Sequence, residues 1–125
     1  MRVLVVDDES DIRHTTQALL EHFGHEVRTA KNGELAVECA THWRPHFVLV
    51  DLSMPVMDGF VATRKLRGLP GSTPMQIVAC SAHVQDPLTE SLARAAGCDA
   101  CFVKPMDWER LKTMMAEFER RLTPS

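Results

Sequence analysis

Short apolar runs alternate with segments of helical periodicity along the whole chain. The run Val3-Leu4-Val5-Val6 is apolar at every position, as a parallel strand buried on both faces should be, and it ends at Asp7-Asp8. Ile12, Thr16, Leu19, Leu20 and Phe23 then recur at helical spacing, and Gly24 supplies the stop signal. A weaker strand runs from Glu26 to Ala30. Asn32-Gly33 reads as a turn, and Leu35, Ala36, Cys39 and Ala40 mark a second helix. Pro45 breaks the chain ahead of the clearest strand, Phe47 to Val50, which leads straight into Asp51. A loop from Ser53 to Gly59 separates it from a helix near Phe60 to Leu66, and Gly68 to Pro74 reads as a surface connection. Gln76 to Cys80 is the fourth strand, ending at Ser81-Ala82. A helix carrying Leu88, Leu92, Ala95 and Ala96 stops at Gly97, and the fifth strand, Ala100 to Val103, ends at Lys104-Pro105. Asp107 suits the N-cap of a last helix, whose apolar stripe is Trp108, Leu111, Met114, Met115, Phe118 and Leu122.

Five strand–helix units leave no room for a second domain in 125 residues, so the chain reads as one α/β domain over 1–125. Right-handed crossovers turn such a (βα)5 chain into a doubly wound open parallel sheet with helices on both faces. Functional crevices in these sheets lie outside the carboxyl ends of the strands. The residues at those ends are Asp7-Asp8, Asp51, Ser81 and Lys104-Pro105, on four of the five strands.

Composition narrows the function without naming it. Hydrophobic residues make up 45% and charged residues 25%, and the net charge of -3 gives no electrostatic footprint for nucleic acid or an anionic membrane. No apolar run approaches the ~20 residues of a membrane span. Two acids follow the first apolar run before a signal-peptide core could form, so the expected compartment is the cytoplasm. Cys39, Cys80, Cys98 and Cys101 are accordingly read as reduced thiols.

The strand-end residues suggest a chemistry. Close carboxylates repel, and protons or a metal must relieve them. A few hard oxygen ligands suit Mg2+, which keeps several waters and accepts a phosphate oxygen. Lys104 adds a point charge that can pair with Asp51 or with a phosphoryl oxygen, and Ser81 offers a hydroxyl donor. One carboxylate can then act as a nucleophile and form an aspartyl-phosphate. Taken alone, Asp7-Asp8 reads equally well as a solvated loop. Convergence with Asp51 and Lys104 favours a site.

These residues stand in recognisable stretches: Val-Leu-Val-Val-Asp-Asp-Glu at 3 to 9, Val-Leu-Val-Asp-Leu-Ser-Met-Pro-Val-Met-Asp-Gly at 48 to 59, Ser-Ala at 81 to 82 and Val-Lys-Pro at 103 to 105. In order and over essentially the whole chain they resemble the receiver domain of two-component response regulators. The resemblance implies the flavodoxin-like strand order 2-1-3-4-5 and phosphorylation of Asp51. It implies Mg2+ held directly by Asp8 and Asp51, through water by Asp7, and by the backbone carbonyl of Ser53. Ser81 and Lys104 would bind the phosphoryl group, with a cis Lys104-Pro105 bond aiming the lysine inward. The donor would be a phosphohistidine on a sensor histidine kinase or a histidine phosphotransfer protein. Output would be binding to another protein, with no direct contact to nucleic acid or membrane. The last two helices and the fifth strand would form the partner face, including weak homodimer contacts.

One position departs from that pattern. Receivers usually carry Tyr or Phe three residues before the lysine, where this chain has Cys101, and Phe102 points to the other side of the strand. The expectation is a weakened or altered switch between Ser81 and the fifth strand. Ser53 and His83 are the flanking positions that tune dephosphorylation in the family. Three other readings compete. An interaction-only pseudo-receiver draws support from Cys101. An aspartate-nucleophile phosphatase would carry a second acid where Ser53 stands. A zinc site would join Cys80 and His83 to Cys98 and Cys101, against the burial expected of strand cysteines. His14, His22, His25, His42 and His46 read as surface or partly buried residues.

Overall fold

A computed structural model describes residues 1–52, 59–72, 74–82 and 87–122. Strands β1 (Arg2–Val6), β2 (Glu26–Ala30), β3 (Phe47–Asp51), β4 (Gln76–Ser81) and β5 (Ala100–Val103) alternate with helices α1 (Ser10–His22), α2 (Gly33–Trp43), α3 (Gly59–Arg67), α4 (Pro87–Ala96) and α5 (Trp108–Leu122). The five strands form one sheet in the order β2-β1-β3-β4-β5, and every neighbouring pair is parallel. Expected fold class and strand order agree with the structure.

Strand β3 is buried at all five positions, which explains why it is continuously apolar up to its terminal acid. The sheet separates two cores. One joins Leu4, Val48 and Ile77 to Ala36 and Ala40 of α2, Leu66 of α3 and Ala93 of α4. The other joins Val5, Leu49 and Val78 to Leu20 of α1 and Leu111, Met115 and Phe118 of α5. Helices α2, α3 and α4 therefore cover one face, and α1 and α5 the other.

Chain punctuation follows local chemistry. Gly24 (φ 98°) and Gly97 (φ 121°) sit just past α1 and α4 in the left-handed region that glycine adopts without strain. After α1, Gly24 N–H donates to the Glu21 carbonyl and His25 N–H to the Leu20 carbonyl, a Schellman closure of the helix end. Asp107 caps α5 as expected, its carboxylate accepting from Arg110 N–H at 3.1 Å. Asn32-Gly33 differs from the expected turn. Asn32 is the N-cap of α2 and accepts from Leu35 N–H at 2.8 Å, and Gly33 is the first helical residue.

Two apolar stripes are also placed differently from their periodicity. In α4 the buried residues are Ala93 and Ala96, while Leu88 and Leu92 are 63% and 51% exposed. In α1 the buried residues are Thr16 and Leu20, and Ile12 is exposed. Arg67, for which the sequence suggested no role, fastens the lower connections. Its guanidinium donates to the carbonyls of Ser72, Met75 and Gly97 and pairs with Asp99 at 2.7 Å.

Gly59 opens α3 against the end of β3, and its N–H donates to the Leu52 carbonyl at 3.2 Å. A Cβ there would collide with the Asp51 carbonyl oxygen and Leu52 Cα, both main-chain atoms. Gly59→Ala is expected to lower stability by about 1–3 kcal/mol, as overpacking against main chain does. Urea unfolding checks this, and an unchanged midpoint would contradict it.

Candidate functional site

Parallel pairing sets the strand ends side by side. Val6 lies opposite Val50, Asp51 opposite Cys80 and Ser81 opposite Val103. The residues following β1 and β5 therefore project over the same edge as the ends of β3 and β4. Carboxylate oxygens of Asp7, Asp8 and Asp51 come within 4.8 Å of one another. Asp7 and Asp51 are buried and Asp8 is exposed, so the cluster has one open side. Lys104 Nζ lies 3.4 Å from Asp7 Oδ2 and 3.3 Å from Asp51 Oδ2.

The arrangement is held from several directions. Asp7 Oδ1 accepts from Glu9 N–H at 2.9 Å, which turns Oδ2 toward Lys104. Arg13 Nη1 donates to the Asp7 main-chain carbonyl at 2.9 Å, a clamp without a spacing signal in the chain. Lys104 N–H donates to the Ser81 carbonyl at 3.0 Å, and the Lys104–Pro105 peptide is cis, as expected. Ser81 is 1% exposed. Burial acts to pull the Lys104 pKa down, but the charges of Asp51 and Asp7 and the hydrogen bond to Asp51 outweigh it, and the value lies above that of an ordinary lysine. Lys104 is thus an ammonium throughout the neutral range. Cys80, beside Asp51, is pushed up to about 12 mainly by burial and stays a neutral thiol.

Hard carboxylate oxygens, one of them open to solvent, fit Mg2+ better than a soft metal. Among the described residues this is the group of acids, histidines and cysteines close enough to hold an ion. Ser53 and His83 lie outside the described residues. Cys80 and Cys101 belong to opposite cores. The Cys80 thiol donates to the Val50 carbonyl at 3.6 Å, and the Cys98 thiol to Thr63 Oγ1 at 3.7 Å. Phe102 is 1% exposed within the α1/α5 core, so it occupies the face opposite Cys101, as strand alternation requires.

A family model of the response regulator receiver domain matches residues 3–116. The chain belongs to the response regulator receiver family. The transcriptional regulatory protein PrrA of Mycobacterium tuberculosis is 34% identical to this receiver over 120 residues, covering 96% of the chain and 50% of PrrA. The chain spans about half the length of the curated relatives it matches. Chemotaxis protein CheY4 of Vibrio cholerae superposes with a TM-score of 0.87 at 29% identity, over 94% of this chain and 97% of that one. The receiver domain of sensor histidine kinase PA1611 from Pseudomonas aeruginosa, which holds a magnesium ion in its active-site cleft, superposes with a TM-score of 0.83 at 26% identity. That match covers 94% of this chain and 95% of the other. No helix of the receiver's described residues is long and apolar enough to cross a membrane.

Removing the ammonium leaves mutually repelling carboxylates, two of them buried. Lys104→Met is expected to destabilise the receiver by about 1–3 kcal/mol near neutral pH, and adding Asp51→Asn to recover part of the loss. Lys104 has a folded-state pKa raised above its ordinary 10.5, so its contribution is complete below that pH and is lost as pH rises through the folded value. The stability gap between the parent chain and Lys104→Met should therefore be flat from neutral pH to about 9 and close at higher pH. A gap that narrows on acidification to pH 7 would contradict the ion-pair account.

Proposed function

We propose that this receiver accepts a phosphoryl group on Asp51 from a phosphohistidine of a sensor histidine kinase or histidine phosphotransfer protein in the cytoplasm, and that the modified form switches binding to a partner protein. The observation that carries the reading is the position of the Asp51 carboxylate. It is 5% exposed, at the carboxyl end of the central strand, with Lys104 Nζ at 3.3 Å and acids from β1 beside it. A carboxylate so placed is a nucleophile whose attack can be neutralised from one side while a donor approaches from the other.

The step balances simply. An Asp51 oxygen forms a bond to phosphorus as the phosphorus–nitrogen bond breaks, and that bond's electron pair returns to the imidazole. Lys104 loses part of its pairing with Asp51 and gains a phosphoryl oxygen, remaining protonated throughout. Ser81, at the end of β4, would donate its hydroxyl to a second phosphoryl oxygen. Asp7, Asp8, Asp51 and the Ser53 carbonyl would hold Mg2+, which when bound supplies the positive charge that screens the acids from the incoming phosphoryl group. Asp7, fixed by Glu9 N–H and Lys104, keeps its carboxylate oriented for that role.

The partner face would lie on α4, β5 and α5. Leu88, Leu92 and Val103 are exposed apolar residues there, and they would supply contacts for an output protein or for weak pairing between two receivers. Phosphorylation would bias two conformations of this face that already interconvert.

Incubation with acetyl phosphate and Mg2+ is expected to add one phosphoryl mass to the chain, and Asp51→Asn is expected to add none. Omitting Mg2+ should slow the reaction at least about tenfold. Absence of an adduct on the unmodified chain would refute phosphoacceptor function and leave an interaction module.

A further inference from the structure

The turn from β1 into α1 carries two of the three acids and holds them in different ways. Asp7 is fixed through each of its polar groups. Its N–H donates to the Ala30 carbonyl at 3.1 Å, and its main-chain carbonyl accepts from Arg13 Nη1 at 2.9 Å. Its Oδ1 accepts from Glu9 N–H, and its Oδ2 faces Lys104. Asp8 is exposed and has no hydrogen bond or ion pair among the described residues. A carboxylate oxygen of Asp8 nevertheless lies within 4.8 Å of those of Asp7 and Asp51. Two like charges at that range favour rotation of an unrestrained side chain out into water.

What restrains Asp8 is the peptide unit it shares with Asp7. The Asp7 carbonyl and the Asp8 N–H belong to one rigid plane, so a hydrogen bond to that carbonyl sets the direction from which the Asp8 side chain departs. Helix α1 does not brace this turn with a cap of its own, because Glu9, at the N-cap, makes no side-chain cap bond. Arg13 braces it instead. Its main-chain N–H donates to the Glu9 carbonyl at 2.9 Å, which ties it to the same turn, and its half-buried side chain reaches back to the Asp7 carbonyl. The guanidinium pairs with no carboxylate among the described residues. It therefore acts on the acids through the main chain and not through a salt bridge. Partners that orient a metal's ligands without touching the ion typically carry about 10- to 100-fold of its affinity.

We propose that Arg13 is a positioning residue for Mg2+: by holding the Asp7 carbonyl it fixes the Asp7–Asp8 peptide plane and keeps the Asp8 carboxylate turned toward those of Asp7 and Asp51. This role depends on the acids holding Mg2+, the reading given above. The sign of its effect is diagnostic. A cation beside a metal site repels the metal, so on charge alone the loss of Arg13 would tighten Mg2+ binding. As a positioning residue its loss weakens binding, because Asp8 is then free to turn into water.

The test is titration of the full chain with Mg2+, its affinity read by calorimetry and by the amide resonances of Asp8 and Glu9. Arg13→Met, similar in reach but without donor or charge, is expected to weaken Mg2+ binding about tenfold. Arg13→Lys, whose ammonium can still donate to the Asp7 carbonyl, should recover part of that loss. In an Asp8→Asn background, which lacks the carboxylate that Arg13 positions, Arg13→Met should change the affinity by less than about twofold. A role in stability alone would lower the urea midpoint in both backgrounds and leave Mg2+ affinity where it was. Arg13→Met binding Mg2+ as tightly as the unmodified chain or more tightly, or an equal loss with and without the Asp8 carboxylate, would overturn the proposal while leaving Mg2+ binding itself intact. An unmodified chain with no saturable Mg2+ binding would instead refute the metal reading, and this role with it.

Discussion

The edge of this sheet holds more negative charge than its own residues neutralise. Asp7, Asp8 and Asp51 approach within 4.8 Å of one another, and Lys104 reaches two of them. At a separation near 4 Å, each like pair costs about 4 kcal/mol at the effective dielectric of a protein surface. Three repulsions stand against two attractions, and the cluster stays two charges in excess. Among the described residues, Lys104 and the Glu9 N–H offset only part of the repulsion in this arrangement. It persists because the strands that carry the acids are locked elsewhere, and that dependence explains much of the remaining design.

The lock is the double-sided burial of the central strands. Strand β3 has no exposed residue from Phe47 to Asp51, so Asp51 cannot withdraw from its neighbours without stripping the strand from both cores. Val6 and the three residues before it are equally buried at the end of β1. Close approach of Gly59 to the main chain of Asp51 and Leu52 adds a steric stop behind the acid. Hydrophobic burial, at roughly 25 cal/mol per Å2, thus supplies the free energy that electrostatics withholds at the edge.

Much of this was legible from the chain because buried parallel strands are continuously apolar and stop where polarity begins. Asp7, Asp8, Asp51, Ser81 and Lys104 each stand at such a stop, so the strand pattern and the candidate site were read from the same signal. Helix faces were harder. The leucines of α4 gave the stronger periodic signal, but Ala93 and Ala96 are the residues that face the sheet, because small side chains let the helix approach closely. Leu88 and Leu92 turn outward. Arg67 and Arg13 were missed for another reason. Apart from the Arg67–Asp99 pair, both act on main-chain carbonyls, which every residue possesses, so those partners have no sequence signature.

Cys101 and Phe102 show how a departure from a family pattern should be weighed against the backbone. Their side chains lie on opposite faces of β5, so the aromatic one place later cannot take up the position that the cysteine leaves. Yet Ser81 and Lys104 are joined without any ring. The Lys104 amide donates to the Ser81 carbonyl at 3.0 Å, and Ser81 pairs in register with Val103. A shift at the end of β4 is therefore felt directly by the residue that holds Asp7 and Asp51.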